Sequence, residues 1–360
     1  MTFDVTELLA NVGGDPADYL VAADAFLLAG NKHLAASALD RAYGLAPDDT
    51  GIARQRAAIL DELAVTIAGL AFRYVPAGTF AMGSDHGDPD ERPVHLRRLD
   101  AFWITDAPLS WTSFCAVAGY TAPPEGRSPN HALIAPAARF IEAERRKLRL
   151  QYCADEDKAA ADWHQNAANP PIGWSRKPMV SVASDDVVAV TNRLASIDGA
   201  TYALPTEPEW EKAARGGRSG ARYAWGDGPP TGKNCDFYRM GDYRLLDPRR
   251  FPANGYGLHG MCGGVWELTA DRYDALAYLR AANGDLTQVT STGADHPFVI
   301  RGGSFTDCAA SVTVSFRASR PELVDFLGTP NIGLRLVRRV TQCSELGPEA
   351  RDEDRPRRRP

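Results

Sequence analysis

The residues of this chain best able to hold a metal or attack a carbonyl are its six cysteines and seven histidines. Their spacing keeps them apart. Cys115, Cys153, Cys235, Cys262, Cys308 and Cys343 form no CxxC pair, which argues against a zinc knuckle. The histidines form no HxxxH or HxH pair, so neither a helix turn nor a strand presents two imidazoles on one face. In a reducing compartment the cysteines are expected as free thiols, several of them buried as small hydrophobes. Ser304, in an Arg-Gly-Gly-Ser-Phe run, has no recognisable histidine and acid partners, which argues against a serine hydrolase. The GGDP, GDGPP and GGSF stretches lack the lysine and the strand–loop–helix setting of a phosphate loop. Asp185-Asp186 and Asp88 with Asp90 read as solvated loops or helix starts rather than paired catalytic carboxylates.

The clearest element able to position reactive groups is a helix after Thr206. Thr206 is a good N-cap, and Glu209 three residues later completes a capping box. Pro208 is tolerated in the first turn, and Glu207, Glu209 and Glu211 favour the positive end of the helix. Trp210, Ala213 and Ala214 press inward, and Gly216-Gly217 ends the element. Taken alone, this is a well-made structural helix.

Upstream, residues 1–70 read as a helical arm. Tyr19, Ala22, Ala23 and Phe26 recur at helical spacing, Gly30-Asn31 makes a turn, and Ala35, Leu39 and Ala42 continue in a second helix that Pro47 ends. A third amphipathic helix is expected from Gly51 to Leu70. The hairpin resembles a single tetratricopeptide repeat. One repeat cannot bury its faces alone, so the arm is expected to pack on the main domain, with docking of a protein or peptide partner as the alternative. FRYVPAGTFAMGS suggests a β-hairpin around Pro76-Ala77-Gly78. DPDERPVHLRRLDAFWI reads as an acidic loop and a strand, and LSWTSFCAVAGY as a short helix. Residues 121–178, proline-rich at both ends and charged between, read as an insertion within a domain spanning 71–340. That insertion is a solvated excursion, a lid or a further partner surface. VSVASDDVVAVTNRLAS begins extended and turns helical, and the tail 341–360 is charged, proline-rich and expected to be disordered.

A chain of 360 residues holds one large domain or two smaller ones. Its net charge of −6 gives no reason to expect nucleic acid as a partner. No apolar run approaches the roughly 20 residues that span a bilayer. The first residues lack the basic start and apolar stretch of a signal peptide, so a cytoplasmic location is expected.

The segments VPAGTFAMGS, ERPVH, VSVASDDVVAV, LPTEPEWEKAARGG, YAWGD, NGYGL, GGVWE, RGGSF and NIGLR occur in that order. Together they resemble the formylglycine-generating enzyme (sulfatase-modifying factor) family over about 72–338, the insertion excluded. The resemblance implies an α+β fold, an irregular variant of the C-type lectin fold that is often calcium-stabilised, following the short helical segment. It implies a family-type oxidoreductase or biosynthetic tailoring enzyme, or, as the alternative, a non-catalytic binding or accessory module on the same scaffold. In the copper-dependent members two cysteines follow RGGS and hold Cu(I), which requires soft thiolates. The corresponding positions here carry Asp307 and Val312, with Cys308 one residue off the first. This argues against copper and against formylglycine generation. The iron sulfoxide synthases of the family carry an HxxxHxE helical domain that this chain lacks, and His33 stands alone in its arm. Iron is therefore not expected either.

Other positions are implied by the same resemblance. Ser304 and Asn331 match polar residues that line the family's substrate pocket. Trp266 and Glu267 match the first two residues of a Trp-Glu-Trp run whose third position is Leu268 here. Arg301 and Arg335 also match, with a guanidinium fork that suits buried carbonyls or a carboxylate. The expected pocket is Ser304, Cys308, Trp266, Glu267, Asn331 and Arg301, with Cys308 as metal ligand or reactive thiol, Ser304 and Asn331 orienting substrate, and Trp266 shaping the wall. Calcium is admitted at two family positions. Gly264 has replaced an asparagine at the first, leaving Glu267 and Asn254 as donors; the second begins at Asn234 with Asp236 or Asp242.

Overall fold

Asp15, Asn31 and Asp49 each place a side-chain oxygen at the start of a helix. The computed structural model describes residues 5–10, 13–119, 176–180, 184–239, 245–286, 297–320 and 331–340. Asp242, the tail and nearly all of the expected insertion lie outside the described residues. Short helix α1 (Val5–Ala10) precedes the hairpin of α2 (Pro16–Leu28) and α3 (Lys32–Leu45), and α4 (Thr50–Glu62) follows. Asp15 caps Ala17 N–H, Asn31 caps Leu34 N–H, and Asp49 caps Gly51 and Ile52 N–H. Buried Ala22, Ala23, Ala35, Ala36, Ala38 and Ala42 let the helices approach closely.

The third helix ends at Glu62, short of the expected Leu70. Val65, Thr66 and Ile67 are β-branched and form strand β1 (Val65–Ile67), which turns at Ala68-Gly69 into β2 (Leu70–Val75). The expected hairpin around Pro76 is also replaced. β2 pairs with β1 and with β5 (Phe102–Thr105), whereas β3 (Gly78–Met82) pairs with β4 (His95–Leu99). The Pro-Ala-Gly turn therefore carries the chain from one sheet to another.

Among the described residues three sheets result. The five-stranded sheet runs β1-β2-β5-β11-β6, with β6 (Thr201–Ala203) and β11 (Val337–Arg339). The four-stranded sheet runs β10-β7-β8-β9 and comprises β7 (Trp266–Arg272), β8 (Phe298–Arg301), β9 (Arg317–Arg320) and β10 (Ile332–Leu334), with β10 parallel to β7. The third is the β3–β4 pair. Helices α5 (Trp111–Ala118), α6 (Ser184–Asp198), α7 (Glu207–Arg215) and α8 (Ala277–Ala282) lie between strands. This is a mixed helix-and-sheet fold with short strands. Among the described residues no helix is long and apolar enough to cross a membrane.

Helix α7 organises the interior. It begins at the expected capping box of Thr206 and Glu209 and ends at Gly216 in the left-handed conformation. All nine of its residues are buried, its charges included. Charged side chains survive there only because each is paired. Glu211 accepts from Gly83 N, Arg215, Arg301 and Tyr278; Glu207 accepts from Arg301 and Arg317; Lys212 donates to the carbonyls of Pro76 and Gly78. The helical arm docks by the same device. Buried Arg56 donates to Asp40 and to the carbonyls of Gly216 and Gly255, its guanidinium 4.5 Å from the ring centres of both Tyr43 and Tyr256.

Candidate functional site

The Arg-Gly-Gly-Ser run leaves β8 through two glycines with positive φ. At Gly303, φ is +69° and a Cβ would meet the carbonyl oxygen of Ser311 at 2.6 Å, so no side chain fits. The turn delivers Ser304 to a buried position. Its backbone N–H donates to Asp307 Oδ2 at 2.9 Å and its hydroxyl donates to the same oxygen at 2.5 Å. Asn331 Nδ2 donates to Ser304 Oγ at 3.1 Å, and Thr306 Oγ1 lies 3.0 Å away. Trp266, at the start of β7, donates its backbone N–H to Asn331 O at 2.7 Å, and its ring rests against Phe316. Three segments distant in sequence thus meet, and they bring Ser304, Asn331 and Trp266 together.

Asp307 was noticeable in sequence only as a missing cysteine. In the structure it is the anchor of the Ser304 turn. Serine and aspartate three residues apart are a local pattern for closing such a turn, and that spacing was the available signal.

Cys308 stands on the exposed rim of this loop with its Sγ 3.9 Å from Ser311 Oγ. Backbone N–H groups of Ala310 and Ser311, with the Ser311 hydroxyl, hold its thiol below the usual value. Val312, at the second position where the family resemblance implies a soft ligand, is fully buried. Cys235 and Cys262 are committed elsewhere. Cys235 Sγ donates to Cys262 O at 3.1 Å, and Ala224 N–H donates to Cys262 Sγ at 3.4 Å. Burial pushes the Cys262 thiol up to about 12 and raises that of Cys235 further still. These are neutral interior thiols. Cu(I) requires thiolates, and the residues around Ser304 offer an engaged carboxylate and a valine. The donor set does not fit copper. Among the described residues no three His, Cys, Asp or Glu side chains converge on a metal-sized site.

Two expected pocket residues sit in the interior instead. Glu267 is buried, where it accepts both oxygens' bonds from Arg335 at 2.9 Å and one from Trp210 Nε1 at 2.7 Å. Burial raises its carboxyl despite Arg335. Arg301 has no exposure and is spent on Glu207, Glu211 and the carbonyls of Val314 and Ser315. Neither side chain reaches solvent in this structure. Arg335 follows the structural reading, donating to Glu267 and to Thr105 O.

The described oxygens proposed for calcium are likewise engaged by protein. Asn234 Oδ1 accepts from Thr231 N, the Asp236 carboxylate accepts from Nε and Nη2 of Arg239, and Asp236 O accepts from Gly264 N. Asn254 donates to the carbonyls of Ala213 and Ala214 and accepts from Tyr256 and Leu258 N–H, closing the end of α7. At the first position Glu267 is held in its ion pair, and at the second Asp242 lies outside the described residues.

Comparison with known proteins agrees with the motif order. Residues 68–340 match the Sulfatase-modifying factor enzyme 1-like domain. The chain is similar to a formylglycine-generating enzyme of Streptomyces coelicolor, at 29% identity over 72% of this chain and 87% of that protein. It is also similar to the inactive C-alpha-formylglycine-generating enzyme 2 of Mus musculus, at 36% identity over 70% of this chain and 87% of that protein. The solved structure of PvdO from Pseudomonas aeruginosa shares the fold, with a TM-score of 0.54 at 20% identity over 77% of this chain and 98% of that one.

Proposed function

Because this chain belongs to the family of sulfatase-modifying factor enzyme 1-like domains, we propose that it is a copper-independent member which recognises a polar ligand at the Ser304 loop. In this reading it is a binding or accessory module rather than a formylglycine generator. One observation carries it. Asp307 occupies the place of a soft ligand and is locked by two hydrogen bonds from Ser304, so the loop is built for hydrogen bonding and not for thiolate coordination. The polar groups that reach the surface there are Thr306, Asp307 and Asn331, with the buried Ser304 hydroxyl holding Asp307 and Asn331 in place and Trp266 beside them. Such a set suits a polar segment of a peptide or a small polar molecule. The irregular, short-stranded fold is consistent with a C-type-lectin-like scaffold, which carries recognition on its loops. Free buried thiols suit a reducing, cytoplasmic setting. The arm, tetratricopeptide-like in its hairpin, leaves Val21 and Leu28 exposed on its outer face, which supports a protein partner there.

A second reading keeps the family's chemistry in another form. Cys308 is exposed and its thiol is pulled down by backbone N–H groups, as suits a reactive nucleophile in a tailoring enzyme. Titration with Cu(I) and Fe(II) under a competing chelator, beside Cys308→Ser, separates the readings. Binding of neither metal supports the module. Stoichiometric binding that disappears in Cys308→Ser overturns it in favour of a metal-dependent oxidoreductase. Saturating alkylation of Cys308 at neutral pH, faster than for a free cysteine, supports the reactive-thiol form.

A further inference from the structure

A small pocket lies at the opposite end of β7 from Trp266. Seven residues of strand, roughly 20 Å, separate it from the Ser304 loop. Its walls include Met82, His95, Arg97, Asp271, Ala281 and Leu286. Its free volume of about 50 Å³ has room for roughly four water-sized groups.

An orphaned acceptor marks the pocket. His95 is only 6% exposed, and its imidazole packs edge-on against Tyr278 with ring centres 4.9 Å apart. Nδ1 lies 3.0 Å from Pro93 O. A carbonyl only accepts, so Nδ1 bears the hydrogen and donates it. Nε2 is then a bare lone pair, and this buried atom has no hydrogen-bond partner. Burial lowers the basicity of the ring, which therefore stays neutral and takes up no proton there. A buried acceptor of this kind is destabilising until something donates to it.

The charges on the wall select the kind of donor. Asp271 accepts from Glu207 N–H; burial raises its carboxyl, and the charge of Arg97 opposes that rise. Asp271 and Arg97 thus balance each other. Arg280 bridges Asp274 and Asp285, and Glu207 is held by Arg301 and Arg317. Arg272 rests on the Phe298 ring, its guanidinium carbon 3.7 Å from the ring centre. A charged ligand would upset these balances and lose its own hydration as well. A neutral ligand does neither. It must bring a donor for Nε2, and it can take a hydrogen bond from Arg97 in return, since a guanidinium has five N–H groups to give. His95 and Arg97 alternate along β4, so they share one face about 7 Å apart. Met82, Ala281 and Leu286 supply a small apolar surface.

We propose that this pocket binds a primary carboxamide, the polar group of a small free amide or of an asparagine or glutamine side chain. One N–H of the amide donates to His95 Nε2. The carbonyl oxygen accepts from the Arg97 guanidinium. The adjoining methyl or methylene lies on Met82, Ala281 and Leu286. Asp271 keeps its bond from Glu207 N–H and its balance with Arg97, and makes no contact that the ligand requires. This site is independent of the Ser304 loop, so the failure of either reading leaves the other standing.

Nuclear magnetic resonance titration of the full chain, with its histidine nitrogens isotopically labelled, tests the proposal with probes of one shape. Acetamide is neutral with donor and acceptor, acetone lacks the donor, acetate is an anion and acetamidinium a cation. Acetamide is expected to saturate with a Kd of about 10 mM or tighter, a scale suited to so small a ligand, and to shift the Nε2 resonance of His95. Each other probe is expected to bind at least about fivefold more weakly. N-acetyl-glutamine N-methylamide separates the two sources: its saturation assigns a peptide side chain, and its failure beside acetamide binding assigns a free amide. Arg97→Met, a change at a half-buried position, is expected to weaken acetamide at least about fivefold. His95→Phe keeps the ring contact with Tyr278, identifies the His95 resonance by its loss and is expected to weaken acetamide likewise; if it fails to fold, Arg97→Met decides alone. No saturable binding of acetamide, equal affinity for acetone or acetate, or unchanged affinity in Arg97→Met overturns the proposal. So does an Nε2 already hydrogen-bonded before any addition and indifferent to acetamide, which would mean a held water only.

Discussion

Asp307 anchors the Ser304 turn. Its carboxylate satisfies the buried N–H and hydroxyl of Ser304, and removing it leaves both donors without their acceptor. Asp307→Ala should therefore destabilise the fold by about 1–3 kcal/mol, read as a lower urea midpoint at unchanged slope. Asp271 makes a different prediction. Burial raises its carboxyl from 3.8 to about 6, so the native state holds that proton more tightly than the unfolded chain. The residue's contribution is then most favourable below the unfolded value and is lost as pH rises through about 6, by at most about 3 kcal/mol. Asp271→Asn should flatten this fall between pH 4 and 6 in stability measured by chemical denaturation; an identical pH profile in wild type and variant would refute the assignment.

At the scale of elements, α7 and its partners decide stability. Burial disfavours the charged form of Glu211, but Arg215 and Arg301 outweigh it and hold the carboxyl down at about 2. Its stabilisation is present above the ordinary carboxylate range near 4.5 and is lost as pH falls towards about 2. Glu211→Ala leaves buried guanidinium groups uncompensated and should cost about 3–5 kcal/mol, with acid unfolding displaced to higher pH. This element was legible in the sequence because its signals are local: Thr206 and Glu209 for the start, Gly216 for the end, Trp210 for the inner face. The partners were not. Arg301 lies 90 positions from Glu211, and Arg335 lies 68 from Glu267; only the fold brings them together, so Glu267 and Arg301 looked available for a ligand. The switch of sheets at Pro76 was hidden for the same reason, since alternation marks a strand without naming its partner. Ser304, Asn331 and Trp266 could be grouped in advance through motif order, not through any pattern in their own spacing.

For the molecule as a whole, the helical arm and the larger domain share one apolar core, in which Ala36, Leu39 and Ile59 join Phe72, Trp103 and Tyr202. Trp103 Nε1 donates to Leu63 O, and Arg56 ties α4 to the loops at Gly216 and Gly255. Removal of residues 1–62 should therefore give an insoluble or unfolded product, visible by gel filtration and near-ultraviolet circular dichroism, rather than a free-standing domain. Arg56→Ala should loosen the same seam, with faster amide exchange across α4 than elsewhere. The central proposal is that the Ser304 turn of this scaffold works by hydrogen bonding and not by soft-metal coordination. The most direct measurement compares Cu(I) affinity, under a competing chelator, of wild type and of Asp307→Cys/Val312→Cys, with folding verified for both. The double variant should bind at least about a hundredfold more tightly than wild type; a wild-type protein that binds Cu(I) as tightly as the double variant would contradict the account.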